Sequence, residues 1–228
     1  MPKPSKRYRT AAELISKQKT YSVPEACAAV KKSPIKFDAS VELHIKVGID
    51  TKKSDQTVRG SIQLPHGTGK TKRIIAFVGS NQEADAKAAG ADIIGTAEVI
   101  QQIKTTSQID FDVAVATPDM MKALGPIARI IGQKGLMPNP KTDTVGPDVK
   151  KMITALKKGK INFKNDATGN IHLAVGRVSF SEQQLTENIT AALEAIRKAK
   201  PAGSKGTFVR SITVASTMGP AIPLAIGA

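Results

Sequence analysis

Hydrophobic and polar positions follow two different rhythms along this 228-residue chain. Near the start, Val41-Glu42-Leu43-His44-Ile45-Lys46-Val47 alternates apolar and polar at every step. A period of two predicts a strand with one buried and one wet face. In the middle, Arg73-Ile74-Ile75-Ala76-Phe77-Val78 is almost wholly apolar, which predicts a strand buried on both faces. Further strands are expected at Ala91–Gly95 and Phe111–Ala116. Helices are expected between them, over Gln82–Ala89 after a Ser80/Glu83 capping box and over Ala97–Thr105. Another is expected after Thr117-Pro118-Asp119, over Met120–Leu124 and Ile127–Ile131 with a break at Gly125-Pro126. Short strands alternating with helices predict parallel pairing.

The flanks read differently. Pro24–Lys32 is expected to be helical, and Val58–Leu64 is a candidate partner for the Val41–Val47 strand. Lys160–Lys164 and Ile171–Phe180 read as a hairpin across Asn165–Asn170. Ser181 and Gln184 form a capping box. Leu185, Ile189, Leu193 and Ile196 then stripe one helix face, and Arg197, Lys198 and Lys200 suit its C-terminal dipole. Phe208–Val214 is a last strand. Neither flank alone holds enough apolar material for a stable sheet. The expected architecture is therefore an α+β first domain, an antiparallel sheet with helices, split in sequence between residues 1–67 and 159–228. A three-layer, Rossmann-like α/β domain, residues 68–158, is inserted into it. The two chain crossings would make a hinge.

Composition narrows the function. With 40% hydrophobic and 23% charged residues the chain is globular rather than a basic tail. No apolar run approaches membrane-spanning length, so no membrane partner is expected. One cysteine, Cys27, cannot make an internal disulfide or a zinc cluster, and an intracellular, cytoplasmic setting follows. Lys and Arg number 34 against 19 Asp and Glu, a net charge of +15. Residues 1–66 hold 13 basic and 6 acidic residues, residues 67–159 hold 13 and 9, and residues 160–228 hold 8 and 4. Most of the excess thus lies in the flanks, and it points to a polyanion, nucleic acid first. Aromatics are only 4%, too few for a platform of stacked rings. The opening Lys6-Arg7-Tyr8-Arg9 lacks the apolar run of a secretory signal, and two early prolines argue against a transit peptide. It reads either as a solvated arm or as a flexible arm that touches phosphates.

Catalytic motifs fail on inspection. His66-Gly67-Thr68-Gly69-Lys70-Thr71 ends like a phosphate-binding loop, but Leu64 stands where its first glycine is needed and no helix follows. It reads as a flexible basic linker. Gly79 alone does not make a dinucleotide fingerprint. Asp110 and Asp112 read as strand-end solvation. His44, His66 and His172 are far apart in the chain with no metal-type spacing. Cys27 reads as a small core residue. No catalytic residue, metal or cofactor is expected. An α/β nucleotide-binding enzyme or switch in the middle domain remains the alternative.

Two constellations fit RNA. With Val41, Leu43 and Ile45 inward, Ser40, Glu42, His44 and Lys46 face out and can serve a phosphate, a 2′-hydroxyl or a base edge. In Ser211–Pro220, Ser211 and Thr213 alternate with Ile212 and Val214 as a hydroxyl stripe, which leads to Thr217, Met218 and Gly219. The alternatives are a solvated face and plain strand propensity.

Ile131-Gly132-Gln133-Lys134-Gly135-Leu136-Met137-Pro138-Asn139-Pro140-Lys141, with Thr144-Val145-Gly146, resembles the signature of the bacterial ribosomal protein L-one family. This is the mobile-stalk protein of the large subunit, beside the tRNA exit site. The resemblance extends to Lys6-Arg7-Tyr8, Ser54-Asp55-Gln56, Val58-Arg59-Gly60, Phe163-Lys164-Asn165-Asp166 and Thr217-Met218-Gly219-Pro220. It implies a discontinuous first domain that binds large-subunit rRNA of the stalk. It implies a role in moving or releasing deacylated exit-site tRNA, and repression of the protein's own mRNA. The RNA surface it implies is Lys36, Phe37, Ser40, Glu42, Lys164, Asp166, Thr168, Ser211, Thr213, Thr217, Met218 and Gly219. Ser40 stands where the family leads one to expect Thr, and both keep the hydroxyl.

Overall fold

The computed structural model of the chain describes residues 5–16, 19–33, 36–204 and 206–226. In chain order its elements are α1 (Lys6–Glu13), α2 (Val23–Lys31), β1 (Ser40–Val47), β2 (Arg59–Gln63), β3 (Ile74–Phe77), α3 (Glu83–Ala88), β4 (Ile93–Ile94) and α4 (Ala97–Thr106). Then follow β5 (Val113–Ala116), α5 (Ala128–Gln133), α6 (Val149–Lys157), β6 (Lys160–Lys164), β7 (Asn170–Arg177), α7 (Glu182–Lys198), β8 (Val209–Ser216) and β9 (Ile222–Leu224). Helices and sheets are mixed, and the largest sheet is antiparallel. The chain forms two compact units, Met1–Gly69 with Ile161–Ala228, and Lys70–Lys160.

The first unit is built on a four-stranded sheet of order β7-β1-β8-β9. β1 alternates half-buried and buried residues along its whole length, as its period of two predicts. Its inner row, Val41, Leu43, Ile45 and Val47, packs with Ile171, Leu173, Ile212 and Val214 of the neighbouring strands. The helix α7 covers that layer with Leu185, Ile189, Leu193 and Ile196, all buried. Burying each such aliphatic side chain is worth roughly 1.5–3 kcal/mol. The capping box is formed: Gln184 N–H donates to Ser181 Oγ at 3.1 Å, and Ser181 N–H to Gln184 Oε1 at 3.0 Å. α2 brings Ala26, Cys27 and Val30 to the same core, where burial pushes the Cys27 thiol pKa up.

Three expectations fail here. β2 does not pair with β1 but with β6, in a separate two-stranded sheet. β1 takes β7 and β8 instead, from the far end of the chain, because those strands bring the complementary apolar rows. For the same reason β6 and β7 are not a regular hairpin: they are joined through an Asn165–Ile171 bridge and hydrogen bonds between Asp166 and Asn170, among them Asp166 N–H to Asn170 O at 2.8 Å. The segment at His66 is not a loose linker. Asn188 of α7, fully buried, accepts from His66 N–H at 3.1 Å and donates to Gly67 O at 2.9 Å and Val175 O at 2.7 Å. His66 Nε2 also lies 2.6 Å from Glu187 Oε2. At the start of the chain the Ser5 hydroxyl accepts from Tyr8 N–H and caps α1; residues 1–4 of the expected arm lie outside the described residues.

The second unit holds the parallel sheet β4-β3-β5. Its strands are clothed on both faces. Ile75, Phe77 and Ala116 pack with Ile100 and Ile103 of α4 and with Ile131 of α5. Ile74, Ala76 and Val115 pack with Ala86 of α3 and Val149, Ile153 and Leu156 of α6. Gly95 is dictated by this core, since a Cβ there would lie 2.1 Å from Phe77 Cδ1. The expected capping box before α3 is absent: Ser80–Gln82 is a 3₁₀ turn, and no side chain caps α3. After β5 the expected helix is fragmented into two 3₁₀ turns, Asp119–Met121 and Gly125–Ile127, before α5, because Gly125-Pro126 interrupts the hydrogen-bond ladder. Asp110 and Asp112 are not merely solvated. Asp110 pairs with the Arg73 guanidinium and Asp112 accepts from Arg73 N–H at 2.9 Å.

Candidate nucleic-acid interface

The wet face of the four-stranded sheet is fixed by β1. Its outward row is Ser40, Glu42, His44 and Lys46. The register sets Glu42 between Ala174 of β7 and Ala215 of β8, His44 between His172 and Thr213, and Lys46 between Asn170 and Ser211. Small residues on both sides leave Glu42 standing clear. Ser211 and Thr213 share this face, so the hydroxyl stripe lies beside the charged row.

At the Ser40 end, the chain leaving β8 is tied back to β1. Thr217 N–H donates to Ser40 O at 2.9 Å, and Thr217 Oγ1 donates to the same oxygen at 3.3 Å. Met218 follows with φ of +64° and 70% of its surface exposed. A left-handed backbone costs a side-chain-bearing residue about 1–2 kcal/mol. Gly219 N–H donates to Ser216 O at 2.7 Å, and a Cβ on Gly219 would crowd Ser216 Oγ and lie 3.1 Å from Ser216 O, so a side chain here would force Ser216 to shift. Arg7 of α1 donates from Nη2 to Met218 O at 3.3 Å, which brings the basic start of the chain to the same corner. Phe37 is 52% exposed. It precedes Ser40 by three residues and so lies within roughly 11 Å of it. Lys36 beside it is exposed, and the following Asp38 is anchored by Arg177 Nη1 at 3.1 Å and Ser179 N–H at 3.0 Å.

At the Lys46 end stands the Asp166–Asn170 turn. Lys46 Nζ donates to Thr168 O. Asp166 accepts from Asn170 N–H at 2.7 Å and from Thr168 N–H and Oγ1 at 2.9 Å each. The Asn170 amide first, and then these other donors, hold its carboxyl well below the usual carboxylate range. The carboxylate is therefore spent on its own turn, and Thr168 is the exposed group there. Lys164 lies on β6, in the two-stranded sheet, exposed but off the four-stranded face.

The structure thus gathers Ser40, Glu42, Ser211 and Thr213 on one face. It places Thr217, Met218 and Gly219 at one end and Asp166 and Thr168 at the other. Three features escaped the sequence reading. The most prominent is His44 against His172, with Nδ1 atoms 2.8 Å apart, although 128 residues separate them. The outward parity of His44 was a signal; its partner was not legible. The others are the Arg7 contact and the Asn188 clamp. Among the described residues, no group of three or more His, Cys, Asp and Glu side chains is placed to hold a metal ion. No described helix is long and apolar enough to cross a membrane.

Residues 28–220 match the model of the Ribosomal protein L1p/L10e family. The chain belongs to that family. It is 51% identical over 225 residues to the large ribosomal subunit protein uL1 of Kosmotoga olearia, covering 98% of this chain and 97% of that one. It is 50% identical to the uL1 protein of Mycobacterium sp. strain KMS, covering 98% and 95%. Against that of Fervidobacterium nodosum it is 47% identical over 98% and 96%. The chain is therefore one of a family of structural ribosomal proteins, not of enzymes.

Proposed function

We propose that this chain is a cytoplasmic, ribosome-bound constituent of the large subunit that binds stalk-region rRNA through its split unit. The relatives' name supports the setting. The single observation that carries the RNA reading is the Met218 corner. A large apolar side chain stands 70% exposed on strained backbone, beside Thr217 and Arg7. Such strain persists where surrounding structure holds it for a purpose. Met218 and Phe37 are apolar contacts for riboses or bases, Ser40, Ser211, Thr213 and Thr217 supply short hydrogen bonds, and Glu42 accepts from a 2′-hydroxyl or amino group. Lys36 and Lys164 supply phosphate contacts, and Asp166 shapes the turn that presents Thr168.

In this reading the split unit is the α+β RNA-binding domain. The middle unit is a three-layer, Rossmann-like α/β domain inserted into it. Movement or release of exit-site tRNA follows from a place on the stalk. Repression of the protein's own mRNA follows if that messenger folds like the rRNA target and competes for the same face. The test is binding of a stalk rRNA transcript at rising salt. Saturable binding with a steep salt slope is expected, and Thr217→Val and Met218→Ala should weaken it far more than Lys87→Ala in α3. Equal losses from all three would leave only nonspecific charge attraction.

A further inference from the structure

Four titratable side chains form a line across the wet face. His44 Nδ1 and His172 Nδ1 are 2.8 Å apart, with ring centroids 5.1 Å apart and planes at 64°. The outer nitrogens each face a carboxylate. His44 Nε2 is 3.8 Å from Glu42 Oε2, and His172 Nε2 is 3.6 Å from Asp166 Oδ2. A contact this short between two ring nitrogens needs one donor and one acceptor, so one proton lies between them. Charging both rings would make both nitrogens donors and break it. The free pair therefore carries one positive charge at most.

The remaining groups around the pair do not change this. On β1, Lys46 is turned to Thr168 O, and Glu42 faces the His44 edge, where its charge raises the His44 pKa but less than the two opposing effects lower it. On β8, Thr213 lies opposite His44 and is uncharged. Asp166 is engaged by its own turn. Burial first, and then the neighbouring His172, push the His44 pKa down. The site thus has room for one more proton, which an added anion would favour.

We propose that His44 and His172 form a proton-linked phosphate contact within the RNA face. A phosphodiester laid over the sheet draws a second proton from solvent, the rings part, and each donates to a phosphate oxygen. The inference rests on RNA binding through this face. Because binding takes up a proton, affinity rises as pH falls through the imidazole range.

The test measures binding of the full chain to a stalk rRNA transcript between about pH 6 and pH 8 at fixed ionic strength. The wild type, the double variant His44→Gln/His172→Gln and Lys87→Gln are compared. The wild type and Lys87→Gln should bind roughly tenfold more tightly at the acid end, and the double variant should show a flat profile. Imidazole resonances of the wild type should titrate at higher pH with RNA than without it. Equal slopes in wild type and double variant, or midpoints unmoved by RNA, overturn the proton linkage and leave RNA binding intact. A wild type without saturable RNA binding at any pH overturns the functional reading and this inference together.

Discussion

The two sheets of this protein solve burial in opposite ways. The four-stranded antiparallel sheet buries one face under α2 and α7 and leaves a row of polar side chains in water on the other. The three-stranded parallel sheet has apolar residues toward both faces, each covered by helices. The first sheet can offer a broad surface with side chains at a fixed pitch. The second has spent both faces on packing and can offer only strand ends and loops. Net charge follows the same division, with most of the basic excess in the flanks that build the open sheet. A sheet can offer such a surface only when its own stability does not need the second face.

The strongest way to break this comparison is to empty one core at a time. Ile189→Ala beneath the open sheet and Ile153→Ala beside the closed one both remove fully buried side chains. Each should cost about 2–5 kcal/mol in denaturant unfolding. RNA affinity in mild denaturant should fall for Ile189→Ala and hold for Ile153→Ala. The reverse result would move the binding surface to the middle unit.

Met218 gives the next largest effect. Met218→Ala should lower RNA affinity roughly tenfold, since a truncated interface anchor typically costs 1–2 kcal/mol. Met218→Gly should sharpen the point, because it relieves the positive φ. It should unfold later than the wild type, by roughly 0.5–1 kcal/mol, while binding RNA as poorly as Met218→Ala. Stability and affinity moving together would mean that the corner serves folding alone.

The smallest effect concerns Asp166. Its folded pKa is depressed, so its stabilising contribution is present above the ordinary carboxylate range and disappears as pH falls through and below it. Thermal melts of the wild type should therefore lose ground to Asp166→Asn below about pH 4, while the wild type is the more stable of the two near neutrality. Parallel melting curves across that range would show that the turn does not depend on the charge.

Much of the local structure was legible. The alternation of β1, the stripe and capping box of α7 and the apolar run of β3 each carry their own period or cap. So does the outward parity of Ser40, Glu42, Ser211 and Thr213. What failed was partner choice. β2 looked like the neighbour of β1 because it comes next in the chain, yet register energetics favour strands whose apolar rows match, wherever they lie. His66–Gly69 looked loose because its glycines signal flexibility locally, while the Asn188 side chain that fixes it comes from a helix more than a hundred residues later.

By itself, the sequence determined which face of each strand and helix turns inward, because side-chain period is a local property of the backbone. It also determined the net charge of +15, which needs no fold. Only the tertiary structure decided that His44 would meet His172, that Arg7 would reach the Met218 carbonyl, and that Asp166 would turn its carboxylate onto its own loop. Those contacts join distant segments, and their geometry follows from sheet register and close packing, which no window of neighbouring residues contains.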